Sequence, residues 1–201
     1  MNNFIIRRCK RDEYIKAWRE MYKREKEGFK NPIYDGINPA LNKVPLKTEF
    51  DDYCVVCYDK GENESITPIP VGLFSFVCTP TKIIGKQYVV APSYLRKGIG
   101  IAMLLVNEEQ LIDNQYKWVN EEFQTGQLGK EKGLHSYHPQ LENWYYIGCS
   151  SRSKGVYKKL GIEPYHSDVE GDLYKFKIRL DREEFDKQYK QYVIDKGFLV
   201  L

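Results

Sequence analysis

The sequence predicts an α/β (α+β) protein, and three observations carry this prediction. Residues 171–180 alternate apolar with basic side chains, the period of a half-buried strand. Residues 14–22 place apolar side chains at helical spacing. Residues 89–105 combine a strand end, a basic turn with glycines and an apolar helical run. The 201 residues and 42% hydrophobic content suit one domain with additions.

Composition excludes several classes of function. A net charge of +3 is too small to indicate nucleic-acid binding. The chain has no apolar run of 18 residues and no signal-peptide pattern, so we expect no membrane span and a cytoplasmic location. Five scattered cysteines fit reduced thiols better than a disulfide framework.

The first elements follow from local patterns. Residues 4–7 favour a strand. A helix is expected from a cap at Asp12 to about Glu27, ended by Gly28. Its buried stripe would consist of Tyr14, Ile15, Trp18, Met21 and Tyr22. Residues 30–45 hold several turn signals and predict a long irregular segment.

The middle of the chain predicts three strands, at 53–58, 70–78 and 81–90, the first two forming a hairpin-like pair. Cys54 and Cys57 have C-x-x-C spacing, which suggests zinc or redox chemistry. Within a strand, however, the two sulfurs would point to opposite faces, and no second pair accompanies them. We therefore interpret them as buried structural cysteines.

The next junction is the candidate binding element. Pro92 ends the strand, and residues 95–100, called the glycine loop below, precede an apolar helix that should reach about Asp113. The first N–H groups of a helix lack internal partners and favour anions. Gly98 and Gly100 carry no side chain to keep such a ligand away. A helix start with glycines for close packing and no ligand is the alternative.

Two known phosphate loops do not fit. The chain lacks the G-x-x-x-x-G-K-[ST] run of a Walker A loop. A Rossmann fingerprint requires glycine or alanine at position 103, where this chain has Met103.

The second half predicts an irregular segment at 115–141, then a strand at 142–149. Ser150 follows, and Gly161 is well placed to end a short helix. After the strand at 171–180, a helix capped by Asp181 should carry a stripe of Phe185, Tyr189, Tyr192 and Val193. The apolar end, 197–201, is expected to pack on its own domain or on a second subunit, which would make a homodimer.

Two stretches resemble the GNAT superfamily of N-acetyltransferases. Val90-Ala91-Pro92 followed by Gly98-Ile99-Gly100 is similar to the family's V-x-P…[QR]-x-x-G-x-[GA] coenzyme A loop. The family's Gln or Arg falls on Leu95, and Arg96 lies one place late. Residues 156–162, Val-Tyr-Lys-Lys-Leu-Gly-Ile, resemble the later F-Y-x-K-L-G-F motif, with Ser150 in place of the usual Asn at the strand end.

The resemblance implies a central mixed, mostly antiparallel sheet, splayed between strands four and five and flanked by helices. The GNAT acetyltransferase domain would cover 1–180, with insertions at about 30–45 and 115–141. Residues 181–201 would form a C-terminal helix and an apolar tail. The two insertions would shape the acceptor site or be surface loops.

The resemblance also implies a reaction, the direct transfer of an acetyl group from acetyl-CoA to an amine of a small molecule or protein. Tyr157 would protonate the departing thiolate, unless it is only a packed tyrosine, and a strand-four N–H would hold the oxyanion. Acetyl-CoA would act as co-substrate. The residues implied to bind it are Val90, Leu95, Arg96, Lys97, Gly98, Ile99, Gly100 and Ser150.

The sequence does not identify the general base. Strand four offers Lys86, Gln87 and Tyr88 but no carboxylate. Candidates from neighbouring elements are Glu49, His135, His138 and Glu142. The two histidines are only half of a metal site, and we expect no metal. The alternative is a catalytically degenerate CoA-binding protein that acts through protein–protein contacts.

Overall fold

The structure is a computed structural model, and its strands form two sheets. It describes residues 3–30, 51–61, 67–78, 83–110, 144–150, 154–162, 164–168, 173–179 and 182–201. For 51–53, 76–78, 83–87, 144–150, 154, 164–168 and 173–179 it describes the backbone alone.

The larger sheet has five strands in the order β4-β3-β2-β1-β8. They are β1 (Phe4–Cys9), β2 (Asp51–Asp59), β3 (Ile69–Cys78), β4 (Ile83–Val90) and β8 (Leu199–Val200). Strands β1 to β4 pair antiparallel, and β8 pairs parallel with β1. The prediction of a mixed, mostly antiparallel sheet is therefore confirmed.

The smaller sheet has the order β5-β7-β6. It consists of β5 (Trp144–Ser150), β6 (Pro164–Asp168) and β7 (Leu173–Arg179), all antiparallel. β4 and β5 contact each other, yet they belong to different sheets. The expected splay between strands four and five is thus present.

Helices cover both faces of the larger sheet. They are α1 (Arg11–Arg24), α2 (residues 99–110), α3 (Lys154–Lys159) and α4 (Arg182–Tyr189), which continues as a π-helix over Lys190–Ile194. Short 3-10 helices lie at Gly28–Lys30 and Pro92–Tyr94. One core lies between the sheet and α2, α3 and α4, and the other lies between the sheet and α1.

Helix α1 begins and ends differently from the prediction. Lys10, with an extended backbone, is the N-cap residue, and Asp12 lies in the first turn. Asp12 as the cap was therefore wrong. The helix ends at Arg24 rather than Glu27, because the chain leaves helical geometry at Glu25. The predicted stripe is confirmed, with Tyr14, Ile15, Trp18 and Met21 buried and Tyr22 half-buried.

The cysteines of β2 lie on opposite faces, as predicted. Cys54 belongs to the core under α1, and Cys57 belongs to the core under α2. Both are buried thiols that form no disulfide. Burial raises the pKa of the Cys57 thiol, which keeps it protonated and unreactive at neutral pH. This placement agrees with a structural role.

The apolar tail packs on the core of its own chain through Phe198 and Val200, while Leu199 and Leu201 are exposed. Gly197 has a φ of 74°, and the N–H groups of Phe198 and Gly197 donate to the carbonyls of Val193 and Ile194 at 3.0 and 2.9 Å. This turn brings Phe198 against Phe4, with ring centroids 5.8 Å apart, and leads into β8. The predicted stripe of α4 is confirmed, since its four side chains contact the same core.

Two strands were not predicted. β8 has only two residues, too few to show alternation, and β6 begins with Pro164. Proline is tolerated there because it is the first residue of a strand at the sheet edge. The predictions for residues 31–45, 113, 115–141 and 181 lie outside the described residues. Within the described part of the chain, no helix is long and apolar enough to cross a membrane.

Candidate active site

The hydrogen bonds between the end of β4 and β3 determine which way the backbone groups of Val90 point. The N–H of Ala91 donates to the carbonyl of Val71 at 2.8 Å, which makes these two residues a hydrogen-bonded pair. Hydrogen-bonded and non-bonded pairs alternate in an antiparallel ladder. The adjacent pair, Gly72 and Val90, is therefore non-bonded. The N–H and carbonyl of Val90 point away from β3, toward the side where β5 lies.

The glycine loop follows one 3-10 turn and contains two left-handed residues. Arg96 has a φ of 66° and Gly98 a φ of 83°. Left-handed residues of this kind occur in turns that direct backbone N–H groups at an anion. Leu95 is 39% exposed, and Arg96, Lys97 and Gly98 are also exposed.

Helix α2 starts directly after this loop. Its first hydrogen bond runs from the N–H of Ala102 to the carbonyl of Gly98 at 3.1 Å. The side chains from Ile101 to Glu108 are buried, so the helix is anchored along its length. Its first N–H groups lie at the positive end of the helix dipole, beside the exposed loop.

The glycines around the loop serve different purposes. A Cβ atom at Gly98 would have no heavy atom within 4 Å, so the space over this backbone is open. At Gly100 a Cβ atom would collide with the Tyr88 hydroxyl. At Gly72 it would lie 2.9 Å from Ile99 Cγ2, which explains how α2 packs so closely on β3. Of the two glycines predicted to leave room for a ligand, Gly98 has that room.

Tyr157 lies on α3, which follows β5. Strand β5 ends at Ser150, one residue beyond the predicted end, at the position where the resemblance puts the strand end. The N–H groups of Ile162 and Gly161 donate to the carbonyls of Tyr157 and Lys158 at 3.0 and 3.1 Å. With Gly161 at a φ of 72°, this is the predicted glycine-ended helix. The Tyr157 side chain is 1% exposed and belongs to the core under α2.

Comparison with solved structures identifies the fold. The CoA-dependent acyl-homoserine lactone synthase BjaI, with SAM and isopentyl-CoA, is similar over 98% of this chain and 92% of its own, at a TM-score of 0.55 and 10% identity. The same synthase with MTA gives a TM-score of 0.51, with the same identity and coverage. The chain has the GNAT fold.

Another similar structure is the PaiA N-acetyltransferase from Thermoplasma acidophilum in complex with coenzyme A. It is 15% identical over 88% of this chain and 98% of its own, at a TM-score of 0.47. No protein-family model matches the sequence, and no curated protein matches it. At these identities the comparison establishes the GNAT fold alone.

Exposed basic side chains lie on the glycine loop and at the end of α3. Lys97 Nζ lies 4.6 Å from the centroid of the Tyr94 ring, a cation–π contact that holds the ammonium on the loop. Lys158 and Lys159 are exposed at the end of α3. Among the described residues, no group of three or more His, Cys, Asp or Glu side chains could hold a metal ion.

Most of the candidate general bases lie in parts of the chain that the structure does not describe. Glu49, His135, His138 and Glu142 lie outside the described residues, and Lys86 and Gln87 are described only in their backbone. Tyr88 is half-buried, with its ring 4.8 Å from that of Phe74. The general base therefore stays a prediction.

Sequence reasoning missed the side chains that hold the turn before the loop. The Tyr94 hydroxyl donates to Asp59 Oδ2 at 2.8 Å. Ser93 donates to Glu25 through both its N–H and its hydroxyl, at 3.0 and 2.8 Å. These partners lie 35 and 68 residues away along the chain, and no local pattern signals such a contact.

Tyr94 provides a pH test of this arrangement. Burial and the hydrogen bond to the Asp59 carboxylate raise the pKa of Tyr94 to about 12. An unfolded tyrosine loses its proton near pH ~10, so between these values the folded state binds more protons. The stabilisation from Tyr94 is complete below about pH 10 and is lost as the pH rises to about 12.

We therefore expect Tyr94→Phe to lower the free energy of unfolding by about 1.5 kcal/mol at pH 8. The difference from wild type should shrink at pH 11, because only the wild-type phenol ionises on unfolding. Urea unfolding at both pH values measures it. A difference that is independent of pH would contradict this assignment.

Proposed function

We propose that this protein is an N-acyltransferase that transfers an acetyl group from acetyl-CoA to an amine of a small molecule or protein. One observation carries the proposal: the open backbone at Gly98, which lies where a splayed β4 leads into the buried helix α2. A phosphate loop needs exposed N–H groups, no obstructing side chain and a rigid support. The glycine loop has exposed residues from Leu95 to Gly98, an open space over Gly98 and the buried helix α2 behind it.

The coenzyme would lie along the β4 edge. Its diphosphate would accept hydrogen bonds from the backbone N–H groups of residues 98–100, where the helix dipole favours negative charge. The exposed cations Arg96 and Lys97 would meet the remaining phosphate charge. By the family resemblance, the pantetheine arm would lie along β4 near Val90, as an added strand does. Ser150, at the end of β5, would also bind the coenzyme, as the resemblance implies.

The chemistry would be direct attack by the amine nitrogen on the thioester carbonyl. The amine must first lose a proton to a base or to water. As the C–N bond forms, a β4 N–H would stabilise the oxyanion. The C–S bond then breaks, and Tyr157 would give its proton to the leaving thiolate. This role comes from the resemblance, and the 1% exposure of Tyr157 fits a packed tyrosine of the core equally well.

The proposal is tested by titrating the purified protein with acetyl-CoA and with CoA in a calorimeter. We expect binding at micromolar Kd, followed by acetyl-CoA-dependent modification of one member of a panel of amines. The panel should include amino acids, polyamines and peptides with free N-termini. If the protein binds neither acetyl-CoA nor CoA, the proposed coenzyme site is refuted.

A second candidate is a CoA-binding protein without catalytic activity. It is favoured by the sequence of β4, which has no carboxylate to act as base. Such a protein would act through contacts with another protein. Binding of acetyl-CoA without turnover of any amine in the panel would favour this second function.

A further inference from the structure

The position of the glycine loop depends on the turn that precedes it. Residues Pro92–Tyr94 connect the last ladder bond of β4 with Leu95, and the N–H of Tyr94 closes the turn on the carbonyl of Ala91 at 2.9 Å. A displacement of this turn would move the first residues of the glycine loop, while helix α2 anchors the last ones. What fixes the turn therefore fixes one end of the loop that presents the N–H groups of residues 98–100.

Glu25 contacts this turn with both of its carboxylate oxygens. Oε2 accepts from the N–H of Ser93 at 3.0 Å, and Oε1 accepts from the Ser93 hydroxyl at 2.8 Å. The Glu25 side chain is only 13% exposed. Ser93 itself is exposed, but two charge-assisted bonds to one carboxylate are directional, so Glu25 fixes Ser93 in place and in orientation.

Arg24 pairs with the Glu25 carboxylate and connects it to β3. Its Nη2 atom lies 3.3 Å from Glu25 Oε1 and donates to the carbonyl of Pro70 at 2.6 Å. Pro70 precedes Val71, whose carbonyl accepts the last ladder bond from Ala91. The guanidinium thus joins α1 to β3 and also offsets a negative charge that would otherwise repel a phosphate near the loop.

The backbone after α1 also packs against the turn. A Cβ atom at Gly28 would lie 2.7 Å from Pro92 Cβ, so only glycine permits this approach. Tyr94, bonded to Asp59, fixes the far end of the turn. The turn is thereby held at both ends. In the part of the chain that the structure describes, Glu25 is the one charged group that binds its middle residue, Ser93.

We propose that Glu25 is a positioning residue for the glycine loop, which holds Ser93 so that the N–H groups of residues 98–100 are preorganised for the coenzyme diphosphate. This inference rests on the proposed function. Glu25 touches no substrate in this arrangement and acts only through Ser93. Preorganisation of this kind raises affinity because the loop does not have to be ordered on binding.

The test compares Glu25→Ala and Glu25→Gln with a matched control, Glu27→Ala. Glu27 lies two residues further on and pairs with Lys30 on the surface rather than with the loop. We expect Glu25→Ala to raise the Kd for CoA roughly 10- to 100-fold, since a small misplacement of binding groups has effects of this size. Glu25→Gln keeps one acceptor and should raise it ~3-fold, and Glu27→Ala less than about twofold.

Hydrogen exchange distinguishes positioning from general stability. In Glu25→Ala without ligand, exchange should accelerate at the amides of residues 93–98 and stay unchanged in β1 to β3. Adding Ser93→Ala to Glu25→Ala should raise the Kd no further, because the two residues act as one unit.

An unchanged Kd in Glu25→Ala, or an equal loss in Glu27→Ala, would overturn the inference. Wild-type protein that does not bind CoA would instead refute the proposed function. In that case the exchange of the Ser93 amide still decides whether Glu25 orders the loop.

Discussion

Replacing Gly98 by glutamate is expected to raise the Kd for CoA and acetyl-CoA roughly 1,000-fold or more. The space over Gly98 is open, so the new side chain can be accommodated without a steric clash inside the protein. Its carboxylate would occupy the region proposed for the diphosphate. Two like charges in contact at a binding site oppose association by several kcal/mol. A 1,000-fold rise in Kd corresponds to about 4 kcal/mol.

The chain offers a matched control in Gly161→Glu. Gly161 also has a left-handed backbone, with a φ of 72° against 83° at Gly98, and it too has no heavy atom within 4 Å of a Cβ position. Both variants therefore suffer the same backbone strain and gain the same charge. Only Gly98→Glu should lose the coenzyme.

Gly98→Ala separates strain from charge. It adds a methyl group at the same backbone conformation and should weaken binding far less than Gly98→Glu. Calorimetry on all three variants, with urea unfolding as the measure of folding, completes the comparison. Wild-type affinity in folded Gly98→Glu would mean that the glycine loop does not hold the diphosphate.

Local patterns were sufficient for much of the fold. The alternation in β7 and the apolar stripe of α1 are repeated along several residues, so their bounds were predicted within a few positions. The glycine loop could be recognised because its components are consecutive in the sequence. The left-handed backbone of Gly161 follows from the same kind of local rule at the end of a helix.

Other features depend on contacts between distant parts of the chain. The hydrogen bonds from Ser93 to Glu25 join residues 68 positions apart, and in the sequence either residue alone looks like an ordinary surface residue. β8 is a strand only because Leu199 and Val200 meet the edge of β1. The cap of α1 was wrong for a related reason: Asp12 suits a cap chemically, but the extended backbone at Lys10 decides where the helix begins.

Tyr157→Phe is expected to lower kcat for amine acetylation by a factor of roughly 10² to 10⁴ while leaving the Kd for acetyl-CoA nearly unchanged. Phenylalanine keeps the ring that packs in the core under α2 and removes only the hydroxyl proton proposed for the leaving thiolate. Thiol release from acetyl-CoA, measured with the best amine of the panel, gives kcat. Calorimetry gives the Kd independently of turnover.

Tyr14→Phe is the matched control, because Tyr14 is also a fully buried tyrosine on a helix. It lies in the core under α1, on the opposite face of the sheet from the core that contains Tyr157. Both variants should lose some free energy of unfolding, but only Tyr157→Phe should lose kcat. Equal kcat in Tyr157→Phe and wild type would show that the thiolate leaves without this proton, and Tyr157 would then be a packing residue of the core.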